Sequence, residues 1–264
     1  MADISPTKPV LDFTDRVIIV TGGAKGIGKV YSERLAEAGA RVVIADIDAE
    51  ANEVLARAIN NKTGQALPKA TDVSNPESTQ AMAEAAIAKW GRIDGLVNNA
   101  SLMSTLARRS WFEIPVEEWD RVMAVNLRGM FLCCRAVYPQ MKKQGRGKIV
   151  NISSSRVWEG TPNRLHYTTS KAGVIGLTRA LAREVGDDNI TVNAISPGFT
   201  LSETQMATTT NAYAAGKAAA LQSKSLKRDQ VPDDLVGALM FFLSDASNYI
   251  SGQTLNVDGG QMMH

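Results

Sequence analysis

Seven short runs of apolar and β-branched residues recur along the chain, separated by longer stretches with helical spacing. The runs are Arg16–Thr21, Arg41–Asp46, Gln65–Asp72, Gly95–Asn98, Gly147–Ser153, Asn189–Ser196 and Gln253–Asp258. Several, such as Val17-Ile18-Ile19-Val20 and Val42-Val43-Ile44-Ala45, are apolar at every position. That is the pattern of strands buried on both faces, the habit of parallel sheets. Helices are predicted between them over Gly26–Ala38, Ala49–Asn60, Pro76–Trp90, Glu117–Lys143, Tyr167–Val185 and Pro232–Leu243. Ser74-Asn75-Pro76 reads as a cap followed by a proline at a first helical position. Gly39 and Gly186 stand where helices should end. The alternation predicts an α/β fold, a doubly wound parallel sheet of about seven strands with helices on both faces. No linker or repeat breaks it, so residues 1–264 read as one domain. Residues 200–226 are rich in Thr, Ala, Gln and Ser without an apolar stripe, and read as a surface helix or a substrate lid.

Composition narrows the function. Lys and Arg total 29 against 27 Asp and Glu, a formal charge of +2, which gives no footprint for a nucleic-acid partner. The 44% hydrophobic content suffices for a folded core. No segment reaches the roughly 18 apolar residues of a membrane helix. The first residues lack the layout of a signal peptide, so the expected compartment is the cytoplasm. The two cysteines, Cys133 and Cys134, are adjacent, with Cα atoms about 3.8 Å apart, too close for ordinary disulfide geometry. They read as small buried hydrophobes on a helix. Two histidines, His166 and His264, offer no metal-ligand spacing, and no metal is expected.

The first strand runs directly into Thr21-Gly22-Gly23-Ala24-Lys25-Gly26-Ile27-Gly28 and a helix. Glycines permit the turn and a close backbone approach, and the helix N-terminus offers free N–H groups to a phosphate. In a strand–turn–helix context this is a dinucleotide-binding signature. Asp46, 20 residues after Gly26, can accept from ribose hydroxyls and repels a 2′-phosphate, so NAD is expected over NADP. Lys25 argues the other way, since it could neutralise that phosphate.

Tyr167 and Lys171 are four residues apart at the start of a predicted helix and share a face. A free phenol, with a pKa near 10, is a poor base at neutral pH, and a nearby cation lowers that value. Thirteen residues before Tyr167, a strand ends in Ser153-Ser154-Ser155, at the sheet edge where ligands bind. Asn98-Asn99-Ala100 ends another strand, and Asn126 interrupts an apolar helix.

With these motifs in order, the chain resembles the short-chain dehydrogenase/reductase family over about residues 14–260. The matching motifs are the Thr21–Gly28 turn, Asp72, Asn98-Asn99-Ala100, Asn126, Ser154, Tyr167 with Lys171, and Pro197-Gly198. The resemblance implies a Rossmann-type domain that transfers hydride between NAD and a secondary alcohol or ketone. It implies Tyr167 as the acid/base, Ser154 as the group holding the substrate oxygen, and Lys171 as the cation that lowers the tyrosine and holds the nicotinamide ribose. Asn126 would anchor a proton-relay water. Besides Gly22, Lys25, Gly26, Ile27, Gly28, Asp46 and Ile47, it brings Asp72 and Val73 to the adenine, and Asn98 and Ala100 to the adenosine ribose and phosphates. Pro197 and Gly198 would back the nicotinamide, with Thr200 and Ser202 at its carboxamide. Ser101 stands where the family usually has glycine. The family also implies a homotetramer.

Met103, Arg156, Trp158, Leu165, Phe199 and Met206 flank these groups in sequence and are the candidate substrate pocket. Most are apolar or aromatic, which points to a hydrophobic, aromatic or cyclic substrate. Arg156 could pair with a substrate anion or be a solvated loop arginine. The C-terminal third resembles family members that oxidise aryl-alkyl or cyclic secondary alcohols. Ser101 and Gly160-Thr161-Pro162-Asn163 resemble its pyridoxal dehydrogenases, and a sugar or polyol substrate is a further alternative. A non-catalytic NAD-binding redox sensor on the same fold would not need Ser154, Tyr167, Lys171 and Asn126 together.

Overall fold

The computed structural model describes residues 11–62, 65–206, 218 and 221–263. Seven strands form one sheet: β1 (Val17–Thr21), β2 (Arg41–Asp46), β3 (Ala66–Ala70), β4 (Gly95–Asn98), β5 (Gly147–Ile152), β6 (Ile190–Pro197) and β7 (Thr254–Val257). All pair in parallel, in the order β3-β2-β1-β4-β5-β6-β7. The longer helices are α1 (Gly26–Glu37), α2 (Ala49–Asn60), α3 (Pro76–Trp90), α4 (Val116–Met123), α5 (Gly129–Gln144) and α7 (Leu165–Glu184). Short α6 (Arg156–Glu159) and α8 (Glu203–Met206), and the 11-residue α9 (Asp233–Leu243), lie among the described residues as well.

The uninterrupted apolar runs are explained by helices on both faces. Ile18, Val20, Val42 and Ile44 pack with Tyr31 and Leu35 of α1, Leu55 of α2, and Leu239 and Phe242 of α9. The alternate residues Val17, Ile19 and Val43 face Met82 of α3, Val137 of α5 and Ala182 of α7. Asn75 caps α3 by accepting from the Ser78 N–H at 2.7 Å, with Pro76 opening the helix. Gly39 takes a positive φ of 93° just past α1. Cys133 and Cys134 are free and buried on α5, and burial pushes both thiols well above their ordinary range.

The predicted helix over Glu117–Lys143 is continuous but not uniform. Between α4 and α5, Ala124–Arg128 form a π turn that carries Asn126, which is fully buried. The chain passes outward from β1 to β2 and β3, then returns to β4 on the other side of β1. A crevice opens at that reversal, beyond the carboxyl ends of the strands. Residues 207–217, 219 and 220 of the expected lid lie outside the described residues. Among the described residues, no helix is long and apolar enough to cross a membrane.

Candidate active site

A cavity of about 980 Å³ lies along the carboxyl edge of the sheet. On the β2–β3 side its wall holds Asp46, Ile47, Asp72 and Val73. Gly22, Lys25, Gly26, Ile27 and Ala100 follow, then Ser154, Tyr167 and Lys171, then Pro197, Gly198, Thr200 and Ser202.

The β1–α1 turn is built for close approach. Gly22 and Gly26 take φ of +60° and +55°. A Cβ on Gly28 would sit 1.9 Å from the Gly22 carbonyl oxygen, so no side chain fits there. Gly28 is therefore a packing glycine, and it does not line the cavity as expected. The α1 N-terminus has no side-chain cap from Lys25 and no acid in its first turn. Its Gly26 N–H donates to Glu203 Oε1 of α8 at 3.2 Å, and Glu203 Oε2 lies 3.7 Å from Lys29 Nζ. A carboxylate of the 200–226 segment thus takes an anion's place at a helix end that favours negative charge. The turn, the open helix end and the cavity size fit a dinucleotide.

Asp46 accepts from the Ala24 N–H at 3.2 Å and the Asp48 N–H at 3.1 Å, so the turn itself fixes its carboxylate at the cavity wall. Lys25 Nζ is bound to Asp48 Oδ2 at 2.5 Å. Hydrogen bonding to Asp48 raises the ammonium above its ordinary value, and the pair neutralises the cation.

Asn98 departs from expectation. Its Nδ2 points into the core, donating to Asn151 Oδ1 at 2.8 Å and Cys134 Sγ at 3.3 Å. Asn151 donates onward to Thr178 Oγ1 at 2.9 Å, so a buried polar chain ties β4 and β5 to α7. The next residue reaches the turn instead: Asn99 Nδ2 donates to the carbonyls of Thr21 and Gly22 at 3.1 and 3.0 Å. Thr21 was also missed; its Oγ1 accepts from the N–H groups of Asn99 and Ala100. Both stand inside the motifs that carry the family resemblance, and the strand's two-residue alternation is the signal that separates an inward Asn98 from Asn99.

Tyr167, on the first turn of α7, is buried against the cavity wall. Burial raises its phenol, while hydrogen bonding to Ser154 and the charges of Arg156 and Arg164 lower it. Of the serine triplet, Ser153 is engaged with the Lys171 carbonyl at 2.9 Å, and Ser154 is the serine that acts on the Tyr167 phenol. Lys171 is 1% exposed; its Nζ donates to the Ile152 carbonyl at 2.8 Å and lies 5.8 Å from the Tyr167 ring centre. Burial pushes its ammonium down to about 7.

Asn126 Oδ1 accepts from the Leu102 N–H at 2.7 Å, and its Nδ2 donates to the Leu102 carbonyl and Ser170 Oγ, both at 3.1 Å. These bonds use both amide protons and one acceptor site of Oδ1. The side chain holds the loop after β4 against α7 and is not part of the cavity wall.

The sequence profile of the family described as "Enoyl-(Acyl carrier protein) reductase" matches residues 22–262. The chain belongs to the short-chain dehydrogenase/reductase family. It is 41% identical over 257 residues to a Rhizobium meliloti protein named "Probable galactose dehydrogenase GalD", covering 97% of this chain and 98% of the relative. It is 39% identical over 254 residues to a 3-oxoacyl-[acyl-carrier-protein] reductase of Synechocystis, covering 95% and 98%. The solved 3-ketoacyl-(acyl-carrier-protein) reductase of Brucella melitensis, complexed with NADH, superposes with a TM-score of 0.86 at 32% identity, covering 96% of this chain and all of that one. Like these family members, the protein is an oxidoreductase of alcohol and keto groups that uses a nicotinamide cofactor.

Within this dehydrogenase the expected substrate pocket is only partly assembled. Met103, Arg156 and Phe199 line the cavity. Trp158 does not: its Nε1 donates to Asn256 Oδ1 at 3.0 Å, which turns the indole toward β7. Leu165 and Met206 are about half exposed on the surface and also lie off the wall. The wall also has Ser101 and Thr161, which the pyridoxal-dehydrogenase resemblance marked, and Ser104, Arg108, Glu159 and Gln261, which no motif marked. Among the described residues, no group of three or more His, Cys, Asp or Glu could hold a metal ion.

Proposed function

We propose that this enzyme interconverts a secondary alcohol and a ketone with NAD, using Tyr167 as acid/base. The observation that carries the reading is the Ser154–Tyr167–Lys171 group on one wall with the β1–α1 turn. A nicotinamide cofactor held along the β1–α1 turn and the Pro197–Gly198 wall would supply the hydride acceptor for alcohol oxidation. Tyr167 Oη, as phenolate, takes the hydroxyl proton, and Ser154 Oγ donates to the same substrate oxygen and orients it. In ketone reduction the phenol returns the proton. Lys171 holds the floor of this wall through the Ile152 carbonyl, beside the nicotinamide ribose. Asn126 acts by positioning the Leu102 loop and α7. A non-catalytic redox sensor gives no account of Ser154, Tyr167 and Lys171 gathered on one cavity wall. Turnover of a secondary-alcohol panel with NAD tests the reading; no oxidation of any member overturns it.

NAD is favoured over NADP because Asp46 presents a fixed carboxylate to the ribose end while Lys25 is neutralised by Asp48. Asp46→Ala is expected to reduce the ratio of kcat/KM for NAD over NADP by at least about tenfold, the worth of a hydrogen bond to a charged group. An unchanged ratio counts against this role for Asp46.

Glu203 competes for the site it caps. A pyrophosphate at the α1 N-terminus must displace the carboxylate from the Gly26 N–H. Glu203→Gln is therefore expected to tighten NAD binding about two- to fivefold, as expected for removing one competing charge at a helix end. Calorimetric titration reads this directly, and weaker binding refutes it.

For the substrate, Met103 and Phe199 support an apolar moiety such as an aromatic or cyclic group. A second reading, a sugar, polyol or pyridoxal-like alcohol, is favoured by the polar wall around Ser101, Ser104, Thr161 and Gln261. A homotetramer is part of this proposal; half-exposed Phe131 on α5 supports packing between copies, and sedimentation velocity tests it.

A further inference from the structure

The substrate end of the cavity gathers positive charge that oxidation of a neutral alcohol does not require. Arg108, on the loop after β4, and Arg156, opening α6, both line the cavity. Arg164, just before α7, is buried nearby. Elsewhere on the chain Arg16, Arg34, Arg92 and Arg228 each meet a carboxylate. Among the described residues, the side chains of Arg108 and Arg156 have no ion pair and no hydrogen bond.

Arg164 cannot serve as their counterpart, since it is a third cation. It is held by neutral groups: Nη1 donates to the Met103 carbonyl at 3.2 Å and to its Sδ at 2.8 Å, and Nη2 to the Leu106 carbonyl at 3.1 Å. These bonds fix the loop that carries Arg108. Glu159, the carboxylate on this part of the wall, is engaged by the Thr161 hydroxyl at 2.6 Å and by Gln261 Nε2. The cations act on one another as well as being desolvated. Burial first, then Arg156, lowers the Arg108 guanidinium. Burial, then Arg156 and Arg108, pushes Arg164 down to about 10.

Arg108 is exposed at the cavity mouth and Arg156 half-buried, so two unpaired cations beside the buried Arg164 present a positive field to an entering anion. We propose that Arg108 and Arg156 form a receptor for an oxyanion of the substrate, a carboxylate or phosphate, so that the enzyme prefers a charged hydroxy compound to its neutral counterpart. The planar forks of two guanidiniums suit such a group. The receptor adjoins the reacting centre, because Arg156 also acts on the Tyr167 phenol. This deepens, and rests on, the assignment of Tyr167 as acid/base.

Two measurements separate the receptor from the chemistry. In the first, succinate and inorganic phosphate are titrated into the NAD-bound enzyme by calorimetry. Saturable binding of at least one is expected, weakened tenfold or more by Arg108→Glu and unchanged by Arg183→Gln, an exposed arginine distant in the chain at the end of α7. Absence of binding, or binding that Arg108→Glu leaves intact, overturns the receptor whatever the turnover. In the second, kcat/KM with NAD is compared for 3-hydroxybutyrate and its methyl ester, gluconate and glucitol, and glycerol 3-phosphate and glycerol. At least one charged member is expected to exceed its neutral partner about tenfold or more, and the arm that does so tells carboxylate from phosphate. Equal rates within every pair overturn the receptor's part in substrate choice. Loss of turnover for all six compounds, with anion binding intact, strikes the acid/base reading and leaves the receptor standing.

Discussion

Tyr167→Phe is expected to lower kcat by about 10²–10⁴-fold, the usual worth of acid/base catalysis, while NAD still binds. The substitution removes one oxygen and keeps the ring, which is 6% exposed and packed with Leu106 and Val122. The fold should therefore survive, and a calorimetric NAD titration of the variant checks that it does. A kcat within tenfold of the parent refutes the mechanism. The pH profile adds a second readout. Oxidation needs the phenolate, so its rate rises with pH through the Tyr167 transition. Burial places that transition high, and hydrogen bonding to Ser154 is the largest opposing influence, ahead of Arg156 and Arg164. Ser154→Ala should therefore move the rising limb to higher pH as well as slow turnover. A limb that moves to lower pH contradicts the bond's direction.

The fold was legible because its strands are buried on both faces, which writes continuous apolar runs that few other elements produce. Val17–Thr21 and Arg41–Asp46 coincide with their predicted runs to within one residue. The π turn at Ala124–Arg128 was not legible, since one added residue does not erase helical spacing across so long a helix. Tyr167 with Lys171 was legible because one helix holds both at a fixed spacing. Asn98 and Asn99 were not separable by motif; only the direction of each side chain off β4 assigns one to the core and the other to the turn. Arg108 carried no local signal at all. It meets Arg156 and Arg164 through tertiary packing of the loop after β4 against the start of α7, information that no sequence window contains. Trp158 failed for a related reason. Its place after the serine triplet was read correctly, but the α6 turn aims its indole at Asn256.

Lys171→Met is expected to remove most activity and yet stabilise the protein at neutral pH. The lysine is wholly buried, and burial pushes its ammonium from the ordinary 10.5 down to about 7. Between those two values the unfolded chain binds the proton and the folded chain does not. Stability therefore rises with pH across that window, and the penalty is fully present at pH 7 and below. Methionine fills a similar volume without a charge to desolvate. Against this stands one lost hydrogen bond to the Ile152 carbonyl, worth about 1 kcal/mol. The net gain at pH 7 should be on the order of 2–4 kcal/mol, enough to raise Tm by several degrees. Melts without added NAD at pH 7 and pH 10 check the sign: the gain should shrink at the higher pH, where the native lysine no longer carries its penalty. A variant less stable at pH 7, or a gain equal at both values, shows that the lysine is held charged by its surroundings. A gain in stability coupled to a loss of turnover is what this site's chemistry requires. The same burial that places Lys171 beside Tyr167 is unfavourable for the folded chain alone, the trade of stability for activity expected of a residue in a catalytic site.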